Sequence, residues 1–201
     1  MAGGAIRPAV AVRYSSRGVA AVAVGLREVE VAADLAGSAV EAGVSAAEAQ
    51  DRVGSKMRTR EFLSRLEHER IVSAIREAES KTSGEIRVYI QRGTLETDPV
   101  MVAQKKFQRL AMYKTRERNA VLIFVAPRAH KFAVVGDKAI HEKCGEQFWQ
   151  QVVDGMRVHF QNEKFSHALT EAINEVGRVL ATHFPRTSAN ANELPDEIAE
   201  G

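Results

Sequence analysis

The chain has 201 residues, 45% of them hydrophobic and 27% charged, with a formal net charge of +2. Such a chain fits one globular domain with appendages and can bury a core without disulfides. Its single cysteine, Cys144, excludes an internal disulfide and suits a reducing, cytoplasmic setting. The apolar run Val19 to Gly25 falls far short of the roughly 18 residues that span a bilayer.

Charge is unevenly spread. Residues 57–186 carry 22 basic and 16 acidic side chains, while residues 187–201 carry four acidic ones and no basic one. A mildly basic domain with a short acidic tail attracts anionic partners weakly.

Residues 1–56 are rich in Ala, Val and Gly and hold one aromatic, Tyr14. Few large side chains anchor them, so burial would hardly offset ordering entropy. The expectation is a poorly ordered extension, with a helical stretch at Leu35 to Gln50 and a domain beginning at Met57, itself a candidate start. Arg7, Arg13 and Arg17 precede the apolar run without making a convincing signal peptide.

From Thr59 the pattern becomes regular. Leu66, Ile71, Val72, Ile75 and Ala78 recur at helical spacing, and Lys81-Thr-Ser-Gly84 ends the helix. Glu85 to Gln91 alternates polar and apolar, which predicts a strand with Ile86, Val88 and Ile90 on one face. Asp98-Pro99 predicts a capped helix start, with the helix running to about Met112. Asn119 to Ala126 is nearly all apolar, as in a strand covered on both faces. Lys131 to Gly136 reads as its hairpin partner. Two helices follow, one from Gly145 to about Phe160 and one opened by Ser166 as N-cap and ending at Phe184-Pro185. Residues 187–201 read as a disordered acidic tail. The order predicts a βαβ unit with a right-handed crossover and an antiparallel third strand. Helices on both faces complete a three-layer α/β/α sandwich.

Lys81-Thr-Ser-Gly-Glu-Ile-Arg-Val88, then Arg118-Asn-Ala-Val-Leu-Ile-Phe-Val-Ala-Pro127, then Val134-Val-Gly-Asp137 resemble the TPM domain family over about 130 residues. Ile140-His-Glu-Lys143, Phe148-Trp149 and His183-Phe-Pro185 are similar to its short, soluble bacterial branch. The family includes thylakoid-lumen proteins linked to photosystem II repair and a receptor-associated protein in animals. The resemblance implies an accessory module that binds another protein, in membrane-complex or envelope maintenance. It also brings in a divalent-cation-dependent phosphatase, since phosphatase activity is attributed to the plant branch and Ca²⁺ or other divalent ions to some members.

Strand ends and adjoining loops are where α/β proteins place ligands. Asp98, Asp137 and Glu142 fall there. Such carboxylates suit a hard cation, Ca²⁺ or Mg²⁺, with Asp137 and Glu142 the catalytic candidates. Asp98 equally suits a helix cap and Asp137 a turn. His141 and Cys144, three apart, make half of a zinc site. Lys105, Lys106, Arg109, Lys114, Arg116 and Arg118 form a basic cluster for phosphate or for a partner. With Tyr113 as the one stacking candidate, the cluster does not predict specific nucleic-acid binding. No phosphate loop, dinucleotide fingerprint or nucleophile elbow is present.

Overall fold

The computed structural model describes residues 58–187 and 192–201, and the backbone of 11–14 and 20–25. The first two strands, β1 (Ala11–Tyr14) and β2 (Ala20–Gly25), are followed by helices α1 (Thr59–Ser64) and α2 (His68–Glu79). The βαβ unit is β3 (Ile86–Ile90), α3 (Pro99–Arg109) and β4 (Val121–Ala126). The chain continues through β5 (Lys131–Gly136), α4 (Lys138–Gln161) and α5 (Phe165–His183) to β6 (Ala199–Glu200). They build a three-layer α/β/α sandwich around one mixed sheet, of strand order β1-β2-β5-β4-β3-β6.

Strands β3 and β4 are parallel, with Ile86 opposite Val121 and Ile90 opposite Val125. β5 returns antiparallel, with Gly136 opposite Val121. Every residue of β4 is buried, as its unbroken apolar run predicts. Alternation sorts the side chains between two cores. Ile86, Val88, Ile90, Val121, Ile123 and Val134 face α1, α2, α4 and α5. Tyr89, Leu122, Phe124, Ala133 and Val135 face α3. Helices α2 and α5 lie so close that a Cβ on Gly177 would stand 2.6 Å from the Cβ of Ala78.

Several expectations are revised. The extension of residues 1–56 contributes strands: β2 pairs antiparallel with β5 and extends the sheet past its hairpin. The expected helix at Leu35 to Gln50 lies outside the described residues. The tail is also engaged. Ala199 and Glu200 pair parallel with Tyr89 and Ile90, and Leu194 and Ile198 pack against the two cores. A polar composition hid this, because much of what holds the tail is polar: Glu85 accepts its backbone N–H groups, and Asp196 and Glu200 pair with Arg76 and Arg92. Helix α4 starts seven residues early, at Lys138, and bends at Gly145, whose φ of +70° no L side chain adopts cheaply. Ser166 caps nothing in α5. Its Oγ accepts the Glu67 N–H at 3.0 Å and ties α5 to the start of α2.

Candidate functional site

Asp137 sits at the end of β5 as N-cap of α4, fully buried. Its Oδ2 accepts from Arg118 Nε at 2.7 Å and its Oδ1 from Arg118 Nη2 at 2.8 Å. The Lys138 N–H adds a third bond to Oδ1 at 2.7 Å. The fork of a guanidinium matches a carboxylate in this way. These hydrogen bonds, first of all, raise the Arg118 pKa further above its ordinary value. Glu142 points elsewhere: its side chain is 60% exposed and pairs with Lys138 at 3.7 Å.

Asp98 caps α3 by accepting the Val100 N–H at 2.8 Å, as Asp-Pro predicts. It follows the C-terminal end of β3. Asp137 follows β5, whose end lies beside the N-terminal ends of β3 and β4. The antiparallel hairpin thus carries Asp98 and Asp137 to opposite ends of the sheet. A Ca²⁺ or Mg²⁺ ion takes six or more oxygens from one cage, protein or water. Asp98, Asp137 and Glu142 do not provide one, since Asp137 is committed to Arg118 and Asp98 lies at the far end.

Among the described residues, no third donor joins His141 and Cys144 in one cluster. His141 Nδ1 accepts from Trp149 Nε1 at 3.1 Å. Burial pushes the Cys144 thiol up to about 12, so at neutral pH it holds no free thiolate to act as a nucleophile. In the basic cluster, Arg118 is absorbed by Asp137 and Lys106 by Tyr89, over whose ring its Nζ lies at 4.4 Å. Lys105, Arg109, Lys114 and Arg116 are exposed.

The structure assembles one polar cleft that the sequence reading missed. It lies where α2 turns into β3, lined by Arg76, Glu79, Thr82, Ser83, Glu85, Arg186, Asn192 and Asp196. Glu85 accepts the N–H groups of Glu193 and Leu194 at 2.9 and 3.1 Å and so anchors the tail. Glu79 Oε1 accepts the Ile86 N–H at 2.7 Å. Burial, aided by the charge of Glu85, pushes Glu79 up to about 8. The spacing of Glu79 and Glu85 across a turn was available in the sequence. Asp196, 111 residues after Glu85, was not.

Because the folded pKa of Glu79 is above its ordinary 4.5, the native state holds this proton more tightly than the unfolded chain. Its contribution is complete below about pH 4.5 and is lost as pH rises through about 8. Glu79→Gln keeps the acceptor for Ile86 and removes the ionisation. We expect urea unfolding of the variant to lose less stability than the wild type between pH 5 and 9. Parallel pH profiles would contradict the assignment.

The fold and these strand-end sites define a small α/β/α module with a polar turn at one end of its sheet. Residues 57–179 match the family model of the TPM domain, and the chain belongs to that family. Among solved structures it is similar to the BA42 protein of the psychrophilic bacterium Bizionia argentinensis, determined by NMR. The two share 36% identity at a TM-score of 0.62, over 67% of this chain and 92% of that one. No curated protein matches. Among the described residues, no helix is long and apolar enough to cross a membrane.

Proposed function

We propose that this TPM domain is a docking module for an acidic protein surface, an accessory role of the kind that membrane-complex or envelope maintenance needs. The outer face of α3 supports the reading. Met101, Lys105 and Arg109 stand at i, i+4 and i+8, all exposed, with Lys114 and Arg116 exposed just beyond. Met101, at 49% exposure, is one of two large hydrophobic side chains left open among the described residues. Among those residues, Lys105, Arg109 and Lys114 have no carboxylate partner. An apolar anchor bordered by free cations suits a partner of opposite charge. A fluorescent peptide of alternating Glu and Leu serves as probe. We expect its affinity for the full chain to fall with salt, and to drop about tenfold or more in Lys105→Glu/Arg109→Glu. Equal affinity in both chains would remove the reading.

A second reading, hydrolysis of a phosphomonoester, draws on the cleft at the α2–β3 turn. There Glu79, held protonated near neutral pH, stands among Arg76, Arg186, Thr82 and Ser83. A protonated carboxyl is a sound general acid for a leaving oxygen, and Arg76 and Arg186 line the same cleft. Assay of an aryl phosphate with Ca²⁺, Mg²⁺ or neither decides it. Turnover that collapses in Glu79→Gln would put catalysis first; none, or equal turnover in both, leaves docking.

A further inference from the structure

We propose that His159, His167 and Glu171 form a site for one divalent transition-metal ion of the zinc class, clamping α4 to α5. The site lies on the helices of the opposite sheet face from α3, and the inference is independent of the docking reading. His167 and Glu171 are one helical turn apart on α5 and share a face. His159 stands in the last turn of α4. The turn at Asn162 to Lys164, with Glu163 at φ +57°, folds α5 back so that His159 meets that face.

Three donor atoms converge. His159 Nε2 lies 2.6 Å from Glu171 Oε2, and His167 Nε2 lies 3.4 Å from Glu171 Oε1. The donor atoms all fall within 4.8 Å of one another, and the two imidazoles meet edge to face at 4.4 Å. A tetrahedral ion with bonds of about 2.0–2.1 Å separates its ligands by about 3.3 Å. The His167–Glu171 pair already has that spacing. His159 Nε2 stands closer to Oε2 than that, and the two histidines meet different oxygens of Glu171, so a shared ion requires these partly exposed side chains to rotate. Glu171, at 51% exposure, has no Lys or Arg partner among the described residues. Among those residues, its carboxylate pairs with the two imidazoles.

The donor set selects the ion. Two imidazoles and one carboxylate suit Zn²⁺, Cu²⁺ or Ni²⁺, whereas Ca²⁺ and Mg²⁺ need oxygen cages. Three protein ligands on a partly exposed face leave the fourth position to water.

The untagged full chain, stripped with a chelator, is titrated with Zn²⁺ by calorimetry and with Co²⁺ by visible absorption. We expect one ion per chain, d–d bands of a tetrahedral Co²⁺ site, and a higher melting temperature with Zn²⁺. His159→Gln and Glu171→Gln should each weaken Zn²⁺ by about tenfold or more. Cys144→Ala should leave it unchanged, and a tenfold excess of Ca²⁺ should not displace it. Far-UV circular dichroism confirms that the variants fold, and His167→Gln replaces either one that does not. Absence of stoichiometric Zn²⁺ binding, or equal binding in wild type and folded variants, overturns the site and leaves a carboxylate-bridged histidine pair.

Discussion

Arg118→Ala should lower the unfolding free energy by about 2–3 kcal/mol in urea titrations, without shifting the slope. Asp137 is fully buried, and Arg118 supplies two of its three hydrogen bonds. Removal of one partner leaves a desolvated carboxylate, which costs about 3–5 kcal/mol at a fully buried pair. Here the Arg118 side chain is 41% exposed, so water reaches the vacated side and the cost falls below that range. Arg118 also holds φ at +55°, a left-handed value. Arg118→Gly should therefore cost no more than Arg118→Ala, because relief of backbone strain offsets part of the lost pair. Arg118→Lys should recover part of the loss, since an ammonium keeps the charge and loses the fork. A loss under about 0.5 kcal/mol in Arg118→Ala would show that the pair adds little to the stability of the fold.

Gly136→Ala should cost about 2–3 kcal/mol, at the upper end of what one added methyl does in a packed core. The added Cβ would stand 2.4 and 2.5 Å from Cζ2 and Cη2 of Trp149. The indole cannot retreat. It is 1% exposed, stacks edge-on against Phe148 at 5.1 Å, and hydrogen-bonds His141 through Nε1. Nor can the backbone shift, because Gly136 pairs with Val121 on one side and Ala20 on the other. Trp149→Phe removes the obstructing atoms at its own cost in packing. The double variant should then be more stable than the sum of the two single effects by about 1 kcal/mol or more. Strict additivity would mean that the sheet yields where the geometry says it is pinned.

The pinning of Gly136 by an indole 13 residues on shows which parts of this fold a sequence carries. Strands β3, β4 and β5 were legible because their signals are local: alternation at Ile86 to Ile90, an unbroken apolar run at Val121 to Ala126. The cap of α3 was equally local, as Asp98 and Val100 are two residues apart. Partners brought together by topology were not legible. The apolar run at Val19 to Gly25 is too short to span a bilayer, and residues 20–25 find their place by pairing with β5, more than a hundred residues away. The tail reads as polar and unanchored until Glu85 supplies its carboxylate.

The site followed the same rule. Asp137 stood out by its position after a strand, but Arg118 reaches it because the β4–β5 hairpin returns the chain to its starting end. That return turned a proposed metal ligand into half of a buried ion pair. His167 and Glu171 have a readable helical spacing, but it does not announce a site by itself, because their third member, His159, comes from another helix. Lys105 and Arg109 are legible in the sequence as part of a basic cluster, and the structure adds Met101 and the lack of carboxylate partners among the described residues.

The docking claim is tested most directly by amide shift mapping of the ¹⁵N-labelled full chain, titrated with the Glu-Leu peptide at low salt. The largest shifts are expected on residues 101–116, along α3 and the turn after it, and they should shrink as salt is added. Shifts confined to the cleft of Glu79, Glu85 and Asp196, or none on α3, would contradict it.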